Sequence, residues 1–356
     1  MKDFFKDLKV IELAGVLAGP SVGLFFAELG AKVIKIENPK TNGDVTRSWK
    51  LPTEDPADKT SAYYWSVNSG KEVVFLDLSK EEELHILYEL IRSADILITN
   101  YKTGDDLKLK TDYKTVSAIN PQLIYASING FGNKNPRTAY DLILQAESGF
   151  MFMNGEKNAS PLKMPVALID LLAGHQLKQA ILIALLQKHK TQKGLHVSVS
   201  LLDTAIASLA NQATNWLIAH HLPTAQGSLH PNIAPYGEIF TTMDGHTITF
   251  AIGSDKQFMH LCENLKLELY TLDLYKTNQQ RVKNRESLYT ALNHSIQQKT
   301  FESLYHSCIT RDIPIGKIRT LKEVFELPEA QHLLHNFSYN NRTLQNVSSV
   351  SFTFED

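Results

Sequence analysis

The first half of the chain alternates short apolar runs with longer stretches in which apolar residues recur at helical spacing. Residues 9–13 read as a strand, 14–19 as a loop of small residues, and Pro20 stands where proline suits the first turn of a helix. A helix over 21–29, with Gly30 as its stop, then leads to a second strand over 32–36. The pattern repeats, with strands at 73–78, 96–99 and 123–128 and helices at 80–94, 113–119 and 140–149. Such alternation predicts a Rossmann-like α/β domain, a parallel sheet with helices on both faces. Ligands of such sheets bind at the carboxyl ends of the strands. Those ends carry 14–19, 37–42, 100–104 and 129–132, all rich in small or polar residues.

The stretch 164–174 places a single carboxylate, Asp170, where a strand-like apolar run becomes a long apolar helix. Residues 171–186 have almost no polar side, which predicts a helix buried all round. Asp170 has two readings. It is the N-cap of that helix, accepting free first-turn N–H groups, or it is a nucleophile that an activated acyl carbon would meet. Beyond it, 188–194 is a basic turn, 196–200 a strand, and 201–221 one long helix closed by Pro223. From residue 230 the pattern changes. Short strands at 238–242 and 246–252 flank Met243-Asp244-Gly245, a hairpin signal, and helices follow at 256–265, 285–299 and 300–309 before Pro314-Ile315-Gly316 opens a connection. The expected organisation is a large α/β domain over 1–200, to which 326–356 returns, a helical linker over 201–228, and a smaller α+β domain over 229–325.

With 356 residues, 43% of them hydrophobic, the chain can bury a large core. A formal net charge of -2 gives no general attraction to nucleic acid or to an anionic membrane, so no such partner is expected. Cys262 and Cys308 lack metal-like neighbours, and His189, His220 and His221 lack matching carboxylates, so no metal site is expected. Charged residues interrupt the N-terminus, and 177–187 is too short a run to cross a bilayer. A soluble cytoplasmic protein is the expectation. Gly15 to Gly19, followed by Glu37, imitates a dinucleotide-binding unit, but the glycine spacing is wrong and Pro20 lacks the N–H that a pyrophosphate would use. A loop over which a bulky ligand or a neighbouring chain passes closely explains the small residues better. Lys40, Arg47, Lys71, Lys102, Lys108 and Arg137 lie at or near these loops and together suit a polyanionic ligand.

An ordered set of motifs resembles the class III CoA-transferases, a family that includes formyl-CoA transferases, carnitine CoA-transferases and α-methylacyl-CoA racemases. The set opens with Val10-Ile11-Glu12-Leu13, Leu17-Ala18-Gly19-Pro20, the run from Leu29 to Glu37, Gly43-Asp44 and Thr46-Arg47. It continues through Asn68-Ser69-Gly70-Lys71, Asn100, Gly130-Phe131-Gly132, Tyr140-Asp141, Asp170, Gly194 and Asp203 to His230-Pro231-Asn232 and Ala234-Pro235-Tyr236. The resemblance implies an interlocked homodimer whose substrates are an acyl-CoA and a carboxylic acid acceptor, with coenzyme A as the group transferred. It makes Asp170 the catalytic aspartate, which forms an anhydride and then a CoA thioester. It sets the CoA contacts on Val16, Leu17, Asn38, Lys71, Asn100, Lys108 and Tyr140, with backbone N–H groups near 16–19 or Asp170 as oxyanion donors. Asn38 stands where some members have an arginine. Tyr140 stands where the racemases carry a histidine, which favours transfer over proton exchange. The glycine-rich loop of the formyl-CoA transferases is absent around 230–236. Beside a CoA-transferase, the alternatives are a racemase-like proton-transfer enzyme and, from the expectation that the segment ending at Asp356 is shorter than the family's usual one, a CoA-binding protein without catalysis. Phe150, Met151 and Met153 suggest a non-polar acyl chain or core packing.

Overall fold

Six strands form one parallel sheet: β1 (Lys9–Glu12), β2 (Lys32–Glu37), β3 (Glu72–Phe75), β4 (Ile96–Thr99), β5 (Ile124–Asn129) and β6 (His196–Ser200). Their spatial order is β3-β2-β1-β4-β5-β6. The order reverses between β1 and β4, the switch point at which a crevice opens beyond the strand ends. The structure, a computed structural model, describes residues 3–353.

Burial on both faces explains the composition of the central strands. Val10, Ile11, Ile96, Leu97 and Ile98 are all enclosed. Helices α1 (Ala18–Glu28), α2 (Ala62–Asn68), α3 (Glu81–Arg92), α4 (Tyr113–Ile119) and α5 (Asp141–Glu147) fall between these strands or follow them. Helix α6 (Leu168–Thr191) packs through Ile169, Ala173, Leu177, Ile181 and Ala184, a stripe that recurs every three or four residues. It is not buried all round: Leu182, Ile183 and Leu186 are 36%, 67% and 68% exposed. The helix is 24 residues long because Lys178 lies within it rather than bounding it, and by length and composition it passes the test for a membrane span that 177–187 alone fails. Its inner face packs in the core of the sheet domain. Gly174 lets α6 approach α1, since a Cβ there would lie 2.4 Å from the Ser21 hydroxyl oxygen.

The chain divides into two units, one comprising residues up to Met151, 163–214 and those from Pro328 on, the other 152–162 and 215–327. The single helix expected over 201–221 is two, α7 (Leu201–Ala207) and α8 (Ala210–Leu217). The chain turns between them with Ala210 at φ 47°, a bend that no glycine or proline marks, and helical structure ends before the rest of the expected linker. In the second unit β7 (Tyr236–Thr241), β8 (Thr247–Ala251) and β9 (Ile315–Lys317) form an antiparallel sheet, and Gly245 supplies the positive φ of the Asp-Gly turn. Strand β9 replaces the connection expected after Pro314 because it hydrogen-bonds the free edge of β8. Helices α9 (Asp255–Leu265), α10 (Arg285–Ile296) and α11 (Phe301–Thr310) complete a core built on Phe240, Phe250, Phe258, Leu261, Leu292 and Leu304, with Cys262 and Cys308 inside it.

A hairpin that the sequence reading lacked, β10 (Leu334–Tyr339) and β11 (Arg342–Val347), belongs to the first unit. Asn340 and Asn341, both at positive φ, make its turn. Phe337 and Tyr339 pack on Trp65 of α2, and Glu28 accepts the N–H groups of Ser349 and Val350. Residues 354–356 of the expected returning segment, and residues 1–2, lie outside the described part of the chain.

Candidate active site

Asp170 is the third residue of α6, and it is not the cap. The position before the helix is Ala167, which has no side-chain acceptor. The first-turn amides are met instead from α5: Asp141 Oδ1 accepts the Ile169 N–H at 2.7 Å and the Asp170 N–H at 3.4 Å. The Asp170 carboxylate itself accepts no hydrogen bond among the described residues, although the residue is only 8% exposed. Burial, and then the neighbouring Asp141 charge, push its pKa up to about 7. A carboxyl group with a raised pKa favours the fold fully below its unfolded value, and that contribution is lost as pH rises through about 7. Near neutrality Asp170 is therefore partly ionised, largely buried and unpaired, which suits a nucleophile.

A pH profile follows from this environment. Reaction through the ionised carboxylate rises as pH increases through about 7 and levels above it. Asp141→Asn keeps an oxygen for the Ile169 amide but removes the neighbouring charge, so it moves the midpoint to lower pH. An unchanged or raised midpoint in the variant's kcat/KM profile, which reports the free enzyme, contradicts the assignment.

Asp170 lines a pocket of about 250 Å³ with Gly15, Val16, Leu17, Ala18, Asn100 and Tyr140. Lys102 and Arg137 complete its charged lining. The Arg137 guanidinium is held by the Glu147 carboxylate at 2.6 Å and 3.0 Å and lies over the Phe131 ring. Asn100 holds both peptides that flank the Gly15 Cα, accepting the Gly15 N–H at 2.9 Å and donating to the Gly15 carbonyl at 2.7 Å. The first turn of α1 has no side-chain cap, and Leu17 at its N-cap and Ala18 at its first position lie in the pocket lining.

Beneath the 14–20 loop lies a lattice of buried charges. Lys35 Nζ is 3.0 Å from Glu12 Oε1 and 3.1 Å from Asp44 Oδ2, and it donates to the Ala14 carbonyl at 2.6 Å. Lys71 Nζ is 2.8 Å from Glu12 Oε2 and donates to the Pro20 carbonyl at 2.8 Å. Burial alone would pull the Lys35 pKa down, but Glu12 and Asp44 reverse this and hold it above the usual lysine value. For Lys71 burial prevails, and the pKa falls to about 8. Gly23 makes room for this lattice, since a Cβ there would sit 1.8 Å from Glu12 Oε2.

Of the residues singled out from sequence, the fold gathers Val16, Leu17, Asn100, Tyr140 and Asp170 around one pocket. Asn38 caps a short turn beside a second depression of about 300 Å³, whose wall shares Tyr101 with the first. Lys108 is exposed and paired with Asp105. The Lys71 side chain is fully enclosed, so its ammonium meets Glu12 rather than the pocket. Glu37, the acidic residue of the imitated dinucleotide-binding unit, is buried against Arg47 and Tyr64. The sequence reading gave no role to Asp44 or Asp141. A usable signal was Lys35 inside Val33-Ile34-Lys35-Ile36, since a charge in a strand covered on both faces requires a buried partner. No group of three or more metal-ligating side chains occurs among the described residues.

A profile described as CoA-transferase family III matches residues 5–355. The succinate–glutarate CoA-transferase of Agrobacterium fabrum is 39% identical over 331 residues, covering 91% of this chain and 82% of that protein. Human succinyl-CoA:glutarate CoA-transferase is 35% identical over 331 residues, covering 92% and 74% respectively. Among solved structures, a CAIB/BAIF family protein from Brucella suis matches with a TM-score of 0.86 at 35% identity, covering 100% of this chain and 94% of that one.

Proposed function

Because the chain belongs to CoA-transferase family III, we propose that it moves CoA from an acyl-CoA to a second carboxylic acid by way of Asp170. The observation that carries this reading is the enclosed Asp170 carboxylate, free of hydrogen-bond partners and set in the pocket at the carboxyl ends of the strands.

An oxygen of ionised Asp170 attacks the thioester carbon, the carbon–sulfur bond breaks, and CoA leaves as the thiolate. The thiolate then attacks the Asp170 carbonyl carbon of the mixed anhydride, which releases the donor acid and leaves an aspartyl-CoA thioester. The acceptor carboxylate attacks that thioester, re-forming an anhydride and the thiolate. Attack of the thiolate on the acceptor's acyl carbon yields the new acyl-CoA and regenerates Asp170. No oxidant, metal or net proton is required. Each addition passes through an oxyanion, for which the uncapped first turn of α1 supplies donors. Proton exchange at an acyl α-carbon needs an acid–base pair, and no histidine lines this pocket.

Coenzyme A spans the pocket and the neighbouring depression, with Val16, Leu17, Asn100 and Tyr140 near the thioester end and Asn38 at the other. Lys108 meets its phosphates from the surface, while Lys71 acts through the fold. The acids are dicarboxylic, as the names of the Agrobacterium fabrum and human relatives indicate for those proteins. Lys102 supplies charge for a second carboxylate. Phe150, Met151 and Met153 are outside the lining, so they do not argue for an apolar acyl chain. A second copy of the chain covers Ile183 and Leu186, forming a homodimer that works in the cytoplasm.

The test is the CoA-ester product profile from succinyl-CoA with glutarate, and with acetate for comparison. Glutaryl-CoA appears, in a double-displacement pattern, and acetate is a poor acceptor. Hydrolysis of succinyl-CoA without transfer contradicts the reading, and preference for acetate contradicts its dicarboxylate part.

A further inference from the structure

Val16 sits in the left-handed region at φ 68°, where a β-branched side chain is crowded by its own backbone. Such a conformation persists only where its surroundings impose it. Here the Val16 N–H donates to both oxygens of buried Asp44, 3.1 Å to Oδ2 and 3.3 Å to Oδ1. Asp44 cannot follow Val16 if the loop relaxes. Its Oδ2 is fixed 3.1 Å from Lys35 Nζ, and its Oδ1 accepts the Thr46 N–H at 3.0 Å and the Thr46 hydroxyl at 2.8 Å. The preceding peptide is tied as well, its Ala14 carbonyl to Lys35 and its Gly15 N–H to Asn100, and Asn100 also donates to the Gly15 carbonyl of the peptide whose N–H Asp44 holds.

The torsions of Val16 set the direction of the peptide that joins it to Leu17, and that peptide leads into the uncapped first turn of α1 in the pocket lining. We propose that Asp44 is a positioning residue for the transfer reaction: by holding Val16 left-handed, it fixes the backbone amides that follow as donors to the oxyanion formed at the carbon Asp170 attacks. Asp44 touches no substrate. Its effect passes through one backbone amide, so it falls on the transition state rather than on CoA binding. This inference rests on the assignment of Asp170 as the residue that carries the acyl group.

A double-mutant cycle read in kcat and KM tests it. Asp44→Asn lowers kcat by about 30-fold, with KM for the acyl-CoA changed by less than about twofold. In a Val16→Gly background the left-handed conformation needs no support, and the same Asp44→Asn change lowers kcat by less than about threefold. An equal loss of kcat in both backgrounds overturns the proposal, as does a loss that falls on KM alone. If Asp44→Asn does not fold, Thr46→Val takes its place in the cycle, because it removes the hydroxyl bond to Asp44 Oδ1 and so loosens Asp44, while keeping the Thr46 N–H bond and the Lys35 pair. A kcat loss that Val16→Gly suppresses then supports the proposal, and one it leaves unchanged overturns it. Failure of the underlying assignment is separable, since the wild-type protein would then form no adduct at Asp170 whatever the cycle gives.

Discussion

Asp170→Ala eliminates exchange of CoA between acids, lowering kcat by at least about 10,000-fold, while the affinity for free CoA stays within about twofold. The size follows from the chemistry, because every proposed step makes or breaks a bond at this carboxyl group. The small effect on binding follows from the geometry. The Asp170 carboxylate accepts no hydrogen bond, the helix end is capped by Asp141, and removing the side chain leaves the Asp141 bond to the Ile169 amide in place. Exchange assays and calorimetric titration with CoA read the two quantities separately. A variant that retains a tenth of the activity would remove Asp170 from the mechanism, whereas one that loses activity and CoA binding together would assign it to the binding site.

Lys35→Met destabilises the first unit by about 3–5 kcal/mol, the cost of leaving a buried charge without its partner. Glu12 retains Lys71, but Asp44 loses its only ion-pair partner among the described residues, and the residue is 8% exposed. Burial would raise the Asp44 pKa, but Lys35 and the Thr46 bonds hold it below the usual carboxylate value, so losing Lys35 raises it. Wild-type Asp44, with its depressed folded pKa, contributes stability that is present above its unfolded value and lost as pH falls through the folded one. The gap between wild type and Lys35→Met in urea unfolding is therefore wider at pH 8 than at pH 4. A gap below about 1 kcal/mol at pH 8 would reduce the lattice to an ordinary set of surface pairs.

The sheet domain was legible because its signals are local. The 96–99 run and the 113–119 helix appear at the expected residues, since an apolar run of strand length and a capped amphipathic turn each carry their own pattern. Helix α2 was missed because its seven residues, rich in aromatics, are too few to show a period, and its Ser61 cap is the one local cue. The Asn340-Asn341 turn was a readable hairpin signal, but its strands are half exposed and only weakly apolar. The break at Ala210 has no local signal, because an alanine at positive φ is imposed by the chain around it.

The site was legible in parts. Asp170 stood out as a carboxylate at the junction of two apolar patterns, and the motif order drew Val16, Leu17, Asn100 and Tyr140 toward it. What sequence could not supply was the division of labour between carboxylates. Asp141 and Asp170 are 29 positions apart, and only the packing of α5 against the start of α6 makes one the cap and leaves the other free. Lys71 carries the same lesson. A lysine beside a ligand-binding loop reads as a phosphate contact, yet its ammonium is enclosed against Glu12, because Gly23 opens a space that only the folded helix reveals.

The most direct test of the account is the intact mass of the wild-type protein after brief exposure to succinyl-CoA without acceptor, followed by peptide mapping, with Asp170→Ala as the control. The account predicts an added CoA or acyl group that maps to Asp170 and is missing from the variant. A protein that turns over succinyl-CoA and glutarate while its mass stays unmodified, or an adduct on another residue that survives Asp170→Ala, would contradict it.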